Sequence, residues 1–392
     1  MDSRISGDTA ATVIFDHVTK QYGRHPASGS PAVNDLSLTV PAGKICVLVG
    51  PSGCGKTTSL KMVNRLIEPT SGRILIDGHD IAERDVTELR RGIGYVIQQV
   101  GLFPHETVSE NVVVVPRLLG WPAARLRERA EELLGLVGLD PGRYRHRYPS
   151  QLSGGERQRV GVARALAADP PIMLMDEPFG AVDPIVRDRL QNEFLRLQEG
   201  LAKTILFVTH DIDEAIKMGD LVAVLQVGGH LAQFGPPVDI LAAPADDFVA
   251  RFVGADRGLK RLSLIRVDEL ELRQPVMALP SDDVAEARRR ALADRFPYLL
   301  LVDDARRPLG WVDPEAIPDA AVRREELATV GSTLLDRGAT LKEALSAVLD
   351  SDVQAGLVVD GDRAVLGLVT AEMIAERLRD RGHLADPAKD PR

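Results

Sequence analysis

Apolar positions along the chain fall into two patterns. Short unbroken runs at Ile45–Val49, 172–175, 204–208 and Leu221–Gln226 are strand-sized and show no alternation with polar residues. Strands of that kind belong to a parallel sheet covered on both faces. Between them, apolar residues recur with helical spacing. Residues 58–67 read as a helix directly after the first run, 125–137 as an amphipathic one, and 153–168 as a third. The stretch from about 104 to 168 is helical in pattern, which predicts a helical insert within an α/β domain. The longest apolar runs fall well short of the about 20 residues that cross a bilayer.

A different organisation begins after residue 262. Leu300-Leu301-Val302-Asp303 matches Leu357-Val358-Val359-Asp360, and Leu309-Gly310 matches Leu366-Gly367, both at an offset of 57 residues. The same offset pairs Val284 with Leu341, Glu286 with Glu343 and Ala287 with Ala344. One offset that holds through helix and strands indicates duplication. Each unit reads as helix, strand, turn, strand and a further helix, and two such units are expected to pack as a pair.

Charge shifts at the same place. From Ser263 onward there are 18 basic and 25 acidic residues, against 30 and 32 before it, which places a boundary near 254–261. The chain of 392 residues carries a formal charge of −9, so nothing global attracts nucleic acid. Cys46 and Cys54 are too few for a disulfide framework or a zinc cluster and fit a reducing cytoplasm. Residues 1–10 lack a secretory apolar core.

The chemistry concentrates in the first part. Gly50-Pro51-Ser52-Gly53-Cys54-Gly55-Lys56-Thr57 fits the phosphate-loop pattern, with Thr58 opening the helix behind it. Glycines let backbone N–H groups approach phosphate oxygens, and the helix N-terminus adds positive potential. Lys56 supplies a charge for the β- and γ-phosphates, and Thr57 offers a hydroxyl to Mg²⁺. Asp176, at the end of a strand, can hold Mg²⁺, while Glu177 can orient and deprotonate water. Taken alone, Asp-Glu-Pro is also a helix-capping turn. Ser153-Gly154-Gly155-Glu156 opens a helix and makes a second anion-binding start, suited to a nucleotide on another copy of the chain. Its Ser-to-Glu spacing is equally that of a capping box.

Residues 13–253 resemble the ATP-binding subunit of an ABC transporter. Gly50 to Thr57 matches the Walker A loop, and Met175-Asp176-Glu177 the end of Walker B. Leu152 to Glu156 matches the LSGGQ signature, with Glu156 in the last place. Tyr22 stands where the family stacks adenine, and Gln98 fits the Q-loop, with Gln99 beside it. Ala181-Val182-Asp183 resembles the D-loop, and His210 the switch histidine. The resemblance implies a P-loop ABC ATPase fold with a helical subdomain, and ATP and Mg²⁺ as ligands. It assigns Mg²⁺ to Thr57, Gln98 and Asp176, and catalysis to Glu177, His210, Lys56 and Gln98. It also implies a dimer in which Ser153 and Gly155 serve the partner's ATP and Asp183 connects the sites.

Segments 94–105 and 209–215 are similar to the importers of glycine betaine, choline and carnitine, and the repeat resembles the tandem CBS pair many of those subunits carry. The implied domains are a disordered 1–12, the ABC domain at 13–254, a linker at 255–262, CBS repeats at 263–318 and 319–379, and a disordered tail at 380–392. Residues 103–115 would receive a transmembrane permease, which works with an extracytoplasmic substrate-binding protein and holds the subunit at the cytoplasmic face of the membrane. The CBS pair would bind a nucleotide or sense ionic strength through anionic lipid. Asp313 and the Thr370-to-Met373 spacing depart from the hydroxyl-and-Asp pattern used for a ribose. Arg288-Arg289-Arg290, Arg306-Arg307 and Arg323-Arg324 are the lipid candidates. The alternatives are an importer ATPase for another small solute such as an amino acid, or a soluble ABC ATPase outside transport.

Overall fold

The computed structural model describes residues 10–22, 30–97, 101–180, 183–279, 282–296, 298–317 and 331–379. The chain divides after Gly254 into two compact units.

The first unit is built on two sheets. Val33–Val40, Val13–Lys20, Ser71–Ile76 and His79–Asp80 form an antiparallel sheet in that order. A six-stranded sheet runs in the order His230–Gly235, Leu221–Gln226, Ile45–Val49, Thr204–Thr209, Ile172–Asp176 and Ile93–Val96. Its pairings are parallel, apart from the hairpin formed by the first two strands. The three central runs are buried at every position, the reason their sequence shows no alternation. Phe15 and Val18 of the antiparallel sheet, Leu48 and Leu174 of the parallel one and Leu60 and Val63 of the intervening helix share one core.

That intervening helix spans Lys56–Val63, so the expected 58–67 begins too late and ends too late. Arg65, at φ 46°, turns the chain out of the helix soon after Val63. The insert contains Val108–Val112, Val114–Leu118, Ala123–Leu136, Pro141–Tyr144 and Gly154–Leu166. Thr107 starts the first of these with a capping box closed by Glu110. The last is capped by Ser153, and stops at Leu166 where the pattern suggested 168.

The second unit holds two three-stranded sheets. Val276–Ala278, Leu299–Val302 and Pro308–Val312 form one; Thr333–Asp336, Ala355–Val359 and Val365–Thr370 form the other. The 57-residue offset carries each pairing of the first onto the second. Val276 opposite Leu299 becomes Thr333 opposite Gly356, and Val302 opposite Pro308 becomes Val359 opposite Val365. Each repeat therefore opens with a short strand parallel to its central one, which the sequence pattern did not reveal. One face of each sheet packs on its own helix, Val284–Ala293 or Leu341–Leu349. The other faces meet around Leu300, Trp311, Leu357 and Leu368. Residues 255–262, expected as a linker, carry the helix Arg257–Leu262, and Leu262 is fully buried in the second unit's core. Its single apolar anchor gave too weak a periodicity to read.

Trp311 is the largest fully buried side chain, and its indole fills the space between the sheets. Trp311→Ala should lower the stability of the second unit by about 3–5 kcal/mol through lost burial and the cavity left behind. The readout is amide-exchange protection in 299–302 and 355–359; unchanged protection would show that the indole does not hold this core.

Candidate functional site

Register brings the site together. Val49 lies opposite Thr209, and Val208 opposite Asp176, on adjacent parallel strands. The residues that follow, Gly50, His210 and Glu177, therefore leave the sheet at one edge. The carboxyl end of parallel strands is where α/β folds hold ligands.

The Gly50–Gly55 turn depends on its glycines. Gly53 and Gly55 have φ of 82° and 98°, and a Cβ at Gly55 would stand 2.1 Å from the carbonyl oxygen of Ala32. A Cβ at Gly50 would meet the Leu225 carbonyl oxygen at the same distance. No side chain fits either position. Gly55 is also the N-cap of Lys56–Val63, so the loop ends on the helix's unpaired N–H groups. The buried Lys56 ammonium donates to the carbonyls of Gly50 at 2.7 Å and Pro51 at 3.0 Å. Cys54 Sγ lies 3.7 Å from it, and burial pushes that thiol's pKa up.

Thr57 Oγ1 donates to Asp176 Oδ1 at 2.9 Å, joining the loop to the neighbouring strand. Burial raises the Asp176 pKa, and the Thr57 hydrogen bond works against that rise. Next to it, Glu177 has φ 44°, an uncommon value for a side-chain-bearing residue and costly to hold. Its N–H donates to Val208 at 2.9 Å, and its Oε1 lies 3.1 Å from His210 Nδ1. Asp211, not His210, caps the next helix by accepting from Asp213 and Glu214. His210 is thus left to face Glu177.

Tyr22 is exposed, with the Lys20 ammonium 5.4 Å from its ring centre. The Lys20 carbonyl accepts from Ala32, whose own carbonyl abuts Gly55, so this segment borders the loop. Gln98, Ala181 and Val182 lie outside the described residues, as do Arg323 and Arg324. Asp183 is described and exposed.

Ser153, Gly154, Gly155 and Glu156 form a separate set. Ser153 Oγ accepts from Glu156 N–H at 3.3 Å, and Glu156 Oε2 accepts from Ser153 N–H at 2.7 Å, a complete capping box. Tyr144 donates its hydroxyl to Glu156 Oε1 at 2.7 Å and helps hold that carboxyl's pKa low. Ser153 and Gly154 are exposed, and no hydrogen bond among the described residues joins this set to the loop.

Three supporting residues escaped the sequence reading. Asn111 is fully buried; it accepts from Phe103 N–H at 2.7 Å and donates to the carbonyls of Phe103, Glu106 and Thr107. Arg164 donates to the Gly101 carbonyl at 2.8 Å, tying the helix Gly154–Leu166 to the chain at that residue. Tyr144, described above, is the third. Each is one polar residue acting across a fold, with no local pattern to signal it.

Among the described residues, no cluster of three or more His, Cys, Asp or Glu could hold a metal by itself. A hard cation can still use the Thr57 hydroxyl and the Asp176 carboxylate, two oxygen donors already in contact, with phosphate oxygens and water completing its shell.

This assembly defines a P-loop nucleotide hydrolase. Residues 33–180 match the ABC transporter family. The osmoprotectant import ATP-binding protein OsmV of Salmonella typhimurium is 45% identical over 93% of this chain and 96% of its own. The choline transport ATP-binding protein OpuBA of Bacillus subtilis is 46% identical over 94% and 96%. The dimeric structure of MJ0796, a bacterial ABC transporter cassette, superimposes with a TM-score of 0.52 at 34% identity, covering 57% of this chain and 98% of that one. The chain belongs to the ATP-binding subunits of ABC transporters, and it is an ATPase of that family.

Glu214, in the helix Ile212–Met218, is buried and accepts from Gln191 Nε2 at 3.0 Å. Burial raises its pKa above the ordinary 4.5. The folded protein therefore holds this proton to higher pH than the unfolded chain, and stability falls as pH rises from the unfolded value through the folded one. Glu214→Gln removes that fall: its urea midpoint should equal wild type near pH 4 and exceed it at about pH 7. A difference independent of pH would remove Glu214 as the cause.

Proposed function

We propose that this chain is the ATP-hydrolysing subunit of an importer for quaternary-amine osmoprotectants of the betaine, choline and carnitine type. The observation that carries this reading is identity of 45–46% with OsmV and OpuBA across both units, not the cassette alone. No helix among the described residues is long and apolar enough to cross a membrane. Transport then requires a separate transmembrane permease that receives residues 103–115 and holds the subunit at the cytoplasmic face. An extracytoplasmic binding protein delivers the solute.

In this reading Gly50 to Gly55 hold the phosphates on backbone N–H groups, and Thr57 and Thr58 continue the cradle at the helix start. Lys56 exchanges its bonds to the Gly50 and Pro51 carbonyls for β- and γ-phosphate oxygens. Tyr22 stacks on adenine. Thr57, Asp176 and Gln98 hold Mg²⁺, which when bound draws charge from the transferring phosphoryl group. Glu177 accepts a proton from the attacking water, and His210 positions that carboxylate and contacts the γ-phosphate. Ser153, Gly154, Gly155 and Glu156 serve the nucleotide of a second copy, with Asp183 between the two sites. The exposed helix start supports this role, because N–H groups beyond the two used by the capping box point out of that end.

The second unit acts as a tandem CBS pair that regulates the motor, through a nucleotide or through ionic strength at an anionic membrane. Several of the arginine candidates are internally engaged. Arg288 donates to Pro314, Arg289 pairs with Glu286, and Arg307 donates to Asp362. Asp313 accepts from Glu315 N–H in the short turn that follows it, and Thr370 from Met373 N–H at the start of the helix Ala371–Arg379.

Glu177→Gln should bind ATP, hydrolyse it at least about 100-fold more slowly and accumulate as a closed dimer on gel filtration. Normal turnover would exclude Glu177 as the base. In anionic proteoliposomes with the cognate permease, ATP should drive uptake of betaine, choline or carnitine in preference to amino acids. Lipid-mediated sensing makes that uptake depend on salt through screening over about 10 Å. Uptake of an amino acid alone would overturn the solute assignment.

A further inference from the structure

We infer that Gln191 and Glu214 are positioning residues for hydrolysis, given the roles proposed above for Glu177 and His210. Their hydrogen bond locks the helix that follows Asp183 to the helix that follows His210, and so keeps His210 aimed at Glu177.

His210 leaves the sheet between two fixed points. Asp211 N–H donates to Thr209 Oγ1 at 3.1 Å, and the Asp211 carboxylate accepts from the N–H groups of Asp213 and Glu214. The helix Ile212–Met218 therefore sets the direction of the turn that carries His210. That helix is secured in turn by its neighbour, Pro184–Leu201. Glu214 Oε1 accepts from Gln191 Nε2 at 3.0 Å, and both side chains are buried. Lys217 Nζ donates to Asp188 Oδ1 at 2.6 Å and to the Asp188 carbonyl at 3.3 Å. Residues three apart share a helix face, so the two bonds join one face of each helix.

Pro184–Leu201 also reaches the other parts of the site. Its Arg187 N–H donates to the Asp183 carbonyl at 2.8 Å. Its Phe194 ring contacts that of Phe179, two residues beyond Glu177, with centroids 6.4 Å apart. One helix thus holds the segments that carry Asp183, Glu177 and His210. Glu177 Oε1 and His210 Nδ1 stand 3.1 Å apart, a contact that a shift of either segment would break.

The chemistry of the buried pair is costly for mere packing. Burial raises the Glu214 pKa, and well-packed apolar residues of similar volume would hold two helices together without that penalty. A hydrogen bond supplies register instead. A buried donor and acceptor meet at one alignment and leave two unsatisfied groups at any other.

The test compares kcat and KM for ATP in the full-length chain, with affinity for a non-hydrolysable ATP analogue measured by calorimetry. Glu214→Leu removes the acceptor; kcat should fall at least about tenfold, with KM and analogue affinity within about twofold of wild type. Glu214→Gln keeps the acceptor and should hold kcat within about twofold. Gln191→Glu sets two carboxyls face to face and should lower kcat, and adding Glu214→Gln should restore it by reversing the bond. Asp188→Ala, at the exposed link, should lower kcat about two- to threefold and leave analogue binding unchanged. In a His210→Ala background, Glu214→Leu should cause no further loss in single-turnover hydrolysis, whereas general damage to the fold would multiply the two losses. The reversed pair and Asp188→Ala decide the point even where Glu214→Leu does not fold. Full kcat in Glu214→Leu, equal losses in Glu214→Leu and Glu214→Gln, or multiplied losses with His210→Ala would each overturn the positioning role. Normal turnover in His210→Ala would instead overturn the reading of His210, and the positioning role with it.

Discussion

Parallel register between three buried strands is the constraint on which the nucleotide site rests. Ile45–Val49, Thr204–Thr209 and Ile172–Asp176 pair so that Val49, Thr209 and Asp176 end at one edge. A slip of one residue would turn every apolar side chain of a strand to the opposite face. Because both faces are packed, each neighbour resists that slip. The distances from Thr57 to Asp176 and from Glu177 to His210 follow from strands that have nothing to do with nucleotide chemistry.

The site also contains groups held against their own preference. Lys56 is buried, Asp176 is desolvated enough to raise its pKa, and Glu177 has a left-handed backbone. Each is stabilised locally: by the Gly50 and Pro51 carbonyls, by the Thr57 hydroxyl, and by the Val208 carbonyl with His210 nearby. A phosphate and a cation would replace the first two partners with stronger, charge-assisted ones. Such a site is arranged for ligands it can exchange for its own internal bonds.

How legible these features were depended on how local their causes are. The phosphate loop could be read because close backbone approach requires glycine, and Gly50 and Gly55 show the backbone contacts that require it. The buried strands could be read because burial on both faces removes alternation. The offset of 57 residues was visible because duplicated core positions keep their chemistry, and the paired registers keep the same spacing. Val276–Ala278 was missed because three residues carry no periodicity, and its strand character comes only from pairing with Leu299–Leu301. The helix Lys56–Val63 was placed late because its start is set by the left-handed Gly55, a backbone event. Arg164 acts on a backbone carbonyl 63 residues away, which no window of sequence displays, and Asn111 acts on nearby carbonyls that only the folded turn before its helix turns toward it.

The set around Ser153 shows why a capping reading and a ligand reading need not compete. The box between Ser153 and Glu156 uses one N–H from each residue. A helix start leaves four N–H groups without partners inside the helix, so others remain after the box has formed. Glu156 would place negative charge beside an incoming phosphate, but its carboxylate is already occupied by Ser153 N–H and the Tyr144 hydroxyl. The proposed role of this set would draw on the N–H groups left over at that exposed start, with a charged Glu156 whose two oxygens are already hydrogen-bonded.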